Sequence, residues 1–94
     1  MHVATCQIQL SLEGIESIKD KRRIIKSVTK RLSNEFNIAI AEVDHQDVWY
    51  STVIGVAAVG NSAPVLNGVL ENVISWLERN RPDLELVQYH VEFR

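Results

Sequence analysis

The chain has 94 residues, of which 46% are hydrophobic and 23% charged, a composition typical of one globular domain with a two-layer core. It contains no run of about 18 apolar residues, no basic-then-apolar leader and only one cysteine, Cys6, so we expect a soluble, cytoplasmic protein without an internal disulfide. The net charge of −2 hides an asymmetry, because Lys19 to Arg31 (seven cations, one acid) carries +6 and the remainder (three cations, eleven acids) carries −8.

The chain opens with a predicted strand and helix. Residues 2–13 alternate between apolar and polar side chains, which predicts a half-buried strand. Gly14 ends the alternation, and Ser17 followed three residues later by Asp20 is a capping-box pattern that predicts a helix start. We expect that helix to end near residues 34–37. Its apolar stripe, at three- and four-residue steps, consists of Ile24, Ile25, Val28, Leu32 and Phe36.

Two strands joined by a hairpin are predicted next. Residues 38–44 are almost wholly apolar and too short for a helix. Residues 45–50 are polar turn formers with two aromatics at the far side, and residues 52–60 are apolar on both faces, as in a central strand. Because Gly55 and Ala57 offer little side chain, we expect another backbone or a partner surface to approach closely there.

A second helix and a last strand complete the pattern. Ser62 with Pro64 close behind predicts a helix start, and the broad apolar face that follows ends before Pro82. In residues 84–93 the apolar positions change from even-numbered to odd-numbered. This predicts either a bulge near Leu86 or a strand that is covered on both faces.

The order strand, helix, strand, strand, helix, strand predicts an α+β fold of the ferredoxin-like βαββαβ type, as a single domain over residues 1–94. Two helices would cover one face of a four-stranded antiparallel sheet whose first and third strands are central. The other face is polar on the first strand and apolar on the third. We interpret it as a partly apolar open face or edge that is used for homodimerisation.

One bacterial family closely resembles this chain along residues 17–49, which read SIKDKRRIIKSVTKRLSNEFNIAIAEVDHQDVW, and along the following IGVAAVGN. This is the YlxP-like family of small conserved proteins, with a similar Lys-Asp/Glu-Lys-Arg start, Phe-Asn pair and Ala-Glu-Val strand. The resemblance covers nearly the whole chain, and it implies a ferredoxin-like fold and no established activity. Genes of the family often lie near those of transcription and translation factors, which suggests a connection with RNA or the ribosome.

The cations of the first helix are the candidate binding site. Five of them fall within about 100° of arc opposite the apolar stripe, as on any solvated face. However, three pairs of like charge stand four residues apart at about 0.2–0.5 kcal/mol each. Four cations also crowd the first two turns, where the macrodipole opposes each by about 0.3–1 kcal/mol near the terminus. Such crowding favours an anionic partner that is bound through its phosphates. The predicted site residues are Lys19, Lys21, Arg22, Arg23, Lys26 and Lys30.

Lys21 and Glu42 stand apart from their neighbours. Lys21 falls at about 60°, in the middle of the apolar stripe. We expect its stem to pack on the sheet edge with the ammonium emerging beside the helix start; the alternative is an anion ligand reaching a pocket near Glu13 and Gly14. Glu42, in an otherwise apolar strand, is expected to pair with a cation or lie on an edge rather than act as a general base.

The hairpin offers two weaker candidates. Asp44, His45 and Asp47 carry metal-ligating atoms, but alternate hairpin residues point to opposite faces, so we predict no metal site. Trp49 and Tyr50 either pack on the end of the sheet or stack on bases.

The sequence favours binding over catalysis. No nucleophile, base and oxyanion donor can be assembled, and the first and third strands lack the aromatics with which RNA-recognition sheets of this topology stack bases. We therefore predict a non-enzymatic domain without a cofactor or a membrane partner that binds RNA or the ribosome through its first helix. The alternative is a dimeric module for a small ligand or a protein, with its interface at Gly55 and Ala57 and an anionic metabolite at residues 14–16.

Overall fold

The computed structural model describes all 94 residues, which form four strands and two helices. The elements are β1 (His2–Leu12), α1 (Ile18–Glu35), β2 (Ala39–Asp44), β3 (Ser51–Gly60), α2 (Ala63–Asn80) and β4 (Leu84–Phe93). The strands make one antiparallel sheet in the order β2-β3-β1-β4. This is the βαββαβ arrangement of the ferredoxin-like fold, so the predicted fold class is confirmed.

The start of α1 follows from its capping residue. Ser17 is extended, and its hydroxyl accepts a hydrogen bond from the backbone N–H of Asp20 at 3.1 Å. The carboxylate of Asp20 pairs with the guanidinium of Arg23 at 3.1 Å rather than completing a capping box. At the other end, the extended Phe36 donates its backbone N–H to the carbonyl of Leu32, which closes the last turn.

The connection from α2 to β4 is held by a bidentate ion pair. Arg81 Nε and an Arg81 terminal nitrogen donate to the two carboxylate oxygens of Asp83 at 3.0 and 2.7 Å. The hydrogen bonds from Arg81 lower the pKa of the Asp83 carboxyl.

Neither α1 nor α2 is long and apolar enough to cross a membrane.

One core lies between the helices and the sheet. It consists of 18 buried hydrophobic residues drawn from β1, β3, β4 and both helices. On β1 the buried members alternate as the sequence predicts: Ala4, Cys6, Ile8, Leu10 and Leu12. Burial raises the pKa of the Cys6 thiol, so this side chain is protonated near neutral pH and serves as a small hydrophobic group.

Both edge strands carry a bulge. The register between β1 and β4 shifts between Gln9 and Leu10 and leaves Val87 without a partner, which confirms the bulge predicted near Leu86. The register between β2 and β3 shifts between Glu42 and Asp44 and leaves Val43 without a partner. That second bulge was not predicted.

The space over Gly55 on the open face of the sheet is filled by the chain itself. A Cβ at Gly55 would lie 2.6 Å from Cγ1 of Val43, which is closer than packed atoms approach. The close approach expected at Gly55 is therefore made by a side chain of the neighbouring strand, brought there by the β2 bulge. A glycine at this position has a packing reason that needs no partner molecule.

Candidate nucleic-acid interface

The exposed side of α1 carries a row of cations, called here the α1 basic surface. Its members are all exposed: Lys19, Arg22, Arg23, Lys26 and Lys30. From the first to the last of them the helix rises roughly 17 Å, since each residue adds about 1.5 Å. Five of the six predicted site residues thus lie on one surface.

The α1 basic surface is scarcely neutralised by acids of the chain. Arg23 pairs with Asp20, and the other four members form no salt bridge. The only other acid of α1 is Glu35, in the last turn of the helix. The positive potential of this helix face is therefore available to an external anion.

Lys21, the sixth predicted site residue, lies elsewhere. It is 1% exposed, and its Nζ donates to the backbone carbonyls of His45 and Val48 and pairs with Oε2 of Glu42 at 3.0 Å. An ammonium has three N–H donors, and all three are used here. This corrects both expectations for Lys21, because its ammonium neither emerges at the helix start nor remains free to bind an anion.

Glu42 is the acidic partner in this buried contact. Its side chain is 17% exposed, it lies on the helix-facing side of β2 opposite Ile54, and it also accepts a hydrogen bond from the Thr52 hydroxyl. The expectation that Glu42 pairs with a cation is confirmed. Because Lys21 neutralises it, Glu42 contributes no net negative charge beneath the α1 basic surface.

The β2–β3 hairpin is fastened to the first turn of α1 through Lys21. His45 sits in the left-handed region, with φ of 60°, and its Nδ1 lies 2.9 Å from the Ser51 hydroxyl. The carboxylate of Asp44 accepts the backbone N–H of His45 at 2.8 Å. No three His, Cys, Asp or Glu side chains anywhere in the chain come together as metal ligands.

Two aromatic side chains of the hairpin lie in solvent. Trp49 and Tyr50 pack edge to face, with ring centroids 6.2 Å apart and planes at 73°, and both remain exposed. Since the carbonyl of Val48 is bound by Lys21, Trp49 is held next to the first turn of α1. The hairpin thus presents exposed aromatic surface near the start of α1.

Arg31 is a cation of α1 that does not belong to the α1 basic surface. Its guanidinium lies 5.0 Å from the ring centroid of Trp76 on α2, at a distance typical of a cation–π contact. This contact links the two helices, and it gives Arg31 a structural role.

The open face of the sheet and the loop after β1 are the places for the alternative, small-ligand function. A shallow concavity of about 470 Å³ lies on the open face beside Val43 and Gly55, with Glu92 and Arg94 in its wall. Hydrogen bonds from Arg94 and His90 lower the pKa of the Glu92 carboxyl. In the loop, Gly14 is flanked by the exposed carboxylates of Glu13 and Glu16, a poor surrounding for an anionic metabolite.

Comparison with known proteins decides the family. The model of a family described as "Protein of unknown function (DUF503)" matches residues 3–91. The chain belongs to the DUF503 family. The resemblance read from residues 17–49 is also confirmed, because the uncharacterized protein YlxP of Bacillus subtilis (strain 168) is 35% identical over 69 residues, which are 73% of this chain and 74% of YlxP.

Among solved structures, the chain is similar to the de novo designed protein Foldit4, with a TM-score of 0.52 and 12% identity. The similarity covers 99% of this chain and 94% of the designed one. At this identity the likeness concerns the fold alone. Neither the DUF503 description nor the name of YlxP assigns an activity.

Proposed function

We propose that this DUF503 protein is a non-enzymatic, cytoplasmic domain that binds structured RNA, free or within the ribosome, through the α1 basic surface. The observation that carries the proposal is the set of four cations on that surface, Lys19, Arg22, Lys26 and Lys30, that have no acidic partner. Phosphates of a nucleic acid supply the missing counter-charges at several positions along one helix.

The pattern of ion pairs in the chain supports the binding of an external partner at the α1 basic surface. The chain has twelve acids, yet only Asp20 pairs with a member of the surface, and Glu42 is already bound to Lys21. A helix whose charges served only solubility would gain stability from glutamates four residues away from its lysines. Their absence costs helix stability, which is consistent with selection for a function.

The phosphate contacts are proposed to lie along the side of α1 rather than at its N-terminus. At the N-terminus, Ser17 already accepts the N–H of Asp20, and the Asp20 carboxylate lies in the first turn, where it would repel a phosphate. The hairpin also carries Asp44 and Asp47, so its contribution is assigned to Trp49, whose exposed ring can stack on an unpaired base.

A salt titration with charge-matched variants tests the proposal. Binding of a structured RNA is measured for the wild type and for Arg22→Gln with Lys26→Gln. Each lost phosphate contact lowers the slope of log K against log salt by about 0.7–0.9, so the double variant is expected to lose about 1.4–1.8 of slope and roughly 25- to 60-fold in affinity at about 0.1 M salt.

The control variant, Arg79→Gln with Arg94→Gln, removes the same two charges from α2 and from the end of the chain. It is expected to bind like the wild type. Equal losses in the two variants would mean that net charge alone governs binding, and a wild type that binds no RNA at low salt would refute the proposal outright.

A further inference from the structure

The two edges of the sheet are protected to very different degrees. The β2 edge is short, at six residues, it bulges at Val43, and it directs the charged Glu42 inward. These are three devices by which proteins prevent strand addition. The β4 edge is ten residues long, and beyond its bulge at Val87 it runs regularly from Gln88 to Phe93. The β4 edge is therefore the one open to another strand.

The backbone of β4 has free hydrogen-bonding groups at alternate residues. Val3 and Arg94 exchange both backbone hydrogen bonds, at 2.8 and 2.7 Å, and are a hydrogen-bonded pair of the ladder. Such pairs alternate with non-hydrogen-bonded pairs along an antiparallel ladder. Given the register of β1 with β4, the N–H and C=O groups of Tyr89, Val91 and Phe93 must point away from β1, into solvent.

The side chains of the same residues make this edge apolar. Tyr89 and Phe93 are 53% and 46% exposed. They lie on the helix-facing side of the sheet, as does Val91 opposite the buried Cys6. Tyr89 also borders an empty groove of about 380 Å³ between α2 and β4, whose wall includes Leu70 and Ile74. Free backbone groups and exposed aromatic surface thus coincide on one strand.

We propose that a second copy of this chain pairs with β4, antiparallel and edge to edge, around a two-fold axis at Val91. In this register Val91 faces Val91 of the second copy. By symmetry, Tyr89 of each copy faces Phe93 of the other. Cross-strand pairs of aromatic and of β-branched residues are among the favourable ones. On the open face His90 meets Glu92 of the second copy, so the imidazole can donate to a carboxylate across each half of the interface.

The position of the axis follows from the bulge and from these charges. An axis at Tyr89 would bring Val91 opposite the bulged Val87, where the ladder is irregular. An axis at His90 would set the two imidazoles against each other. The axis at Val91 alone among these three uses only regular strand and complementary side chains.

The layer of helices fits this arrangement. Because α2 packs on β1, with β3 and β4 to either side, the two copies of α2 would lie about three strand spacings apart, roughly 14 Å. Helices in direct contact lie about 8–10 Å apart, so a trough remains between them. The four aromatic side chains Tyr89 and Phe93 of the two copies fill that trough, and their burial provides the apolar part of the interface.

Light scattering after size exclusion tests the interface. The wild type is expected at twice the chain mass, and Tyr89→Lys with Phe93→Lys at the mass of one chain, because edge lysines block strand addition. Val65→Lys, which replaces an exposed apolar residue on α2, and Ala57→Lys, which places a charge on the open face, are expected to remain dimeric. The proposal would be overturned if Ala57→Lys were monomeric while the double variant Tyr89→Lys with Phe93→Lys remained dimeric. A wild type that is monomeric at NMR concentrations would overturn it as well.

A cysteine substitution tests the register without disturbing the edge. Because Val91 lies opposite Cys6 on β1, both cysteine variants are made in a Cys6→Ala background, in which no intramolecular disulfide can form. In that background Val91→Cys places two thiols across the two-fold axis in a hydrogen-bonded pair, whose Cα atoms lie about 5.5 Å apart, within the range of a disulfide. Under mild oxidation it is expected to form a covalent dimer. Gln88→Cys, which is more exposed but faces Arg94 of the second copy, is expected to form far less. Equal or faster cross-linking of Gln88→Cys would refute the axis at Val91.

Discussion

At the scale of single residues, the contact between Lys21 and Glu42 is the best shielded ion pair of the molecule. Burying two charges costs several kcal/mol per ion, and their attraction offsets this only when the remaining hydrogen-bonding groups are satisfied. Here the carbonyls of His45 and Val48 take the other ammonium donors, and the Thr52 hydroxyl donates to the carboxylate. The pair therefore fixes the hairpin against α1.

Removal of one charged partner of this ion pair should destabilise the protein. Lys21→Met leaves the carboxylate of Glu42 and two carbonyls without their donor, and we expect a loss of about 3–5 kcal/mol in the free energy of unfolding. The double variant with Glu42→Met should cost less than the sum of the single variants by about 0.5–3 kcal/mol, since neither charge is then left alone. Denaturant unfolding of the four proteins measures both quantities.

The matched control is Arg23→Met, which removes an exposed cation from the same helix and should change stability by about 0.5 kcal/mol or less. A Lys21→Met variant as stable as this control would contradict the buried ion pair. It would restore the possibility that the Lys21 ammonium is free to bind an anion.

The sequence alone predicts where Lys21 and Glu42 lie on their own elements, but not that they meet. The helical wheel places Lys21 in the apolar stripe, and strand alternation places Glu42 on the same side as Ile40. What the sequence lacks is a sign of which side of an apolar strand faces the helices. Only the sheet order, which brings β2 beneath α1, shows that Glu42 meets Lys21.

At the scale of elements, α1 carries charges that oppose its own stability. Lys26 has a like charge four residues away on each side, at Arg22 and Lys30. Each pair changes from repulsive to attractive in Lys26→Glu, which should raise the free energy of unfolding by about 0.8–2 kcal/mol in total. Because the same change places an acid in the α1 basic surface, RNA binding should weaken while stability rises.

The neutral variant Lys26→Gln separates the two contributions. It relieves the repulsion without adding attraction, so it should give about half the gain in stability. Unfolding in urea at low salt measures the difference, because salt screens these pairs. A loss of stability in both variants would show that Lys26 makes a native contact, and the interpretation of the surface as free would then be wrong.

Element boundaries were predictable where a specific residue marks them. Ser17 and Ser62 cap the two helices, and the change of parity in β4 predicts its bulge. The bulge at Val43 left no such sign, because β2 is apolar on both faces and a one-residue slip does not alter its pattern. The same bulge explains Gly55, which from sequence alone suggested a partner surface.

At the scale of the whole molecule, the order and periods of the segments predict the ferredoxin-like fold, since one hairpin and two helices leave few other topologies. The interaction surfaces were harder to predict. The sequence suggests homodimerisation at an open face or edge, and we propose the β4 edge. On the open face Val43 covers Gly55, whereas the β4 edge has free backbone groups and exposed aromatic rings.

The proposed RNA-binding surface and the proposed β4-linked dimer are geometrically compatible. A two-fold axis normal to the sheet keeps both helix layers on one side, so the two α1 basic surfaces of a β4-linked dimer face the same direction. They lie about 30 Å apart, from a strand spacing of about 4.8 Å. Two such surfaces can engage one RNA together, which raises the overall affinity through effective concentration.

The most direct test of the central claim, that α1 binds RNA, is a titration of the isotope-labelled protein with a structured RNA, followed by amide chemical shifts. We predict that the largest shifts occur in residues 18–31 and at Trp49, and that they disappear as salt is raised. The open face around Gln7 and Gly55 should not respond. Large shifts on that open face, with α1 unchanged, would contradict the account.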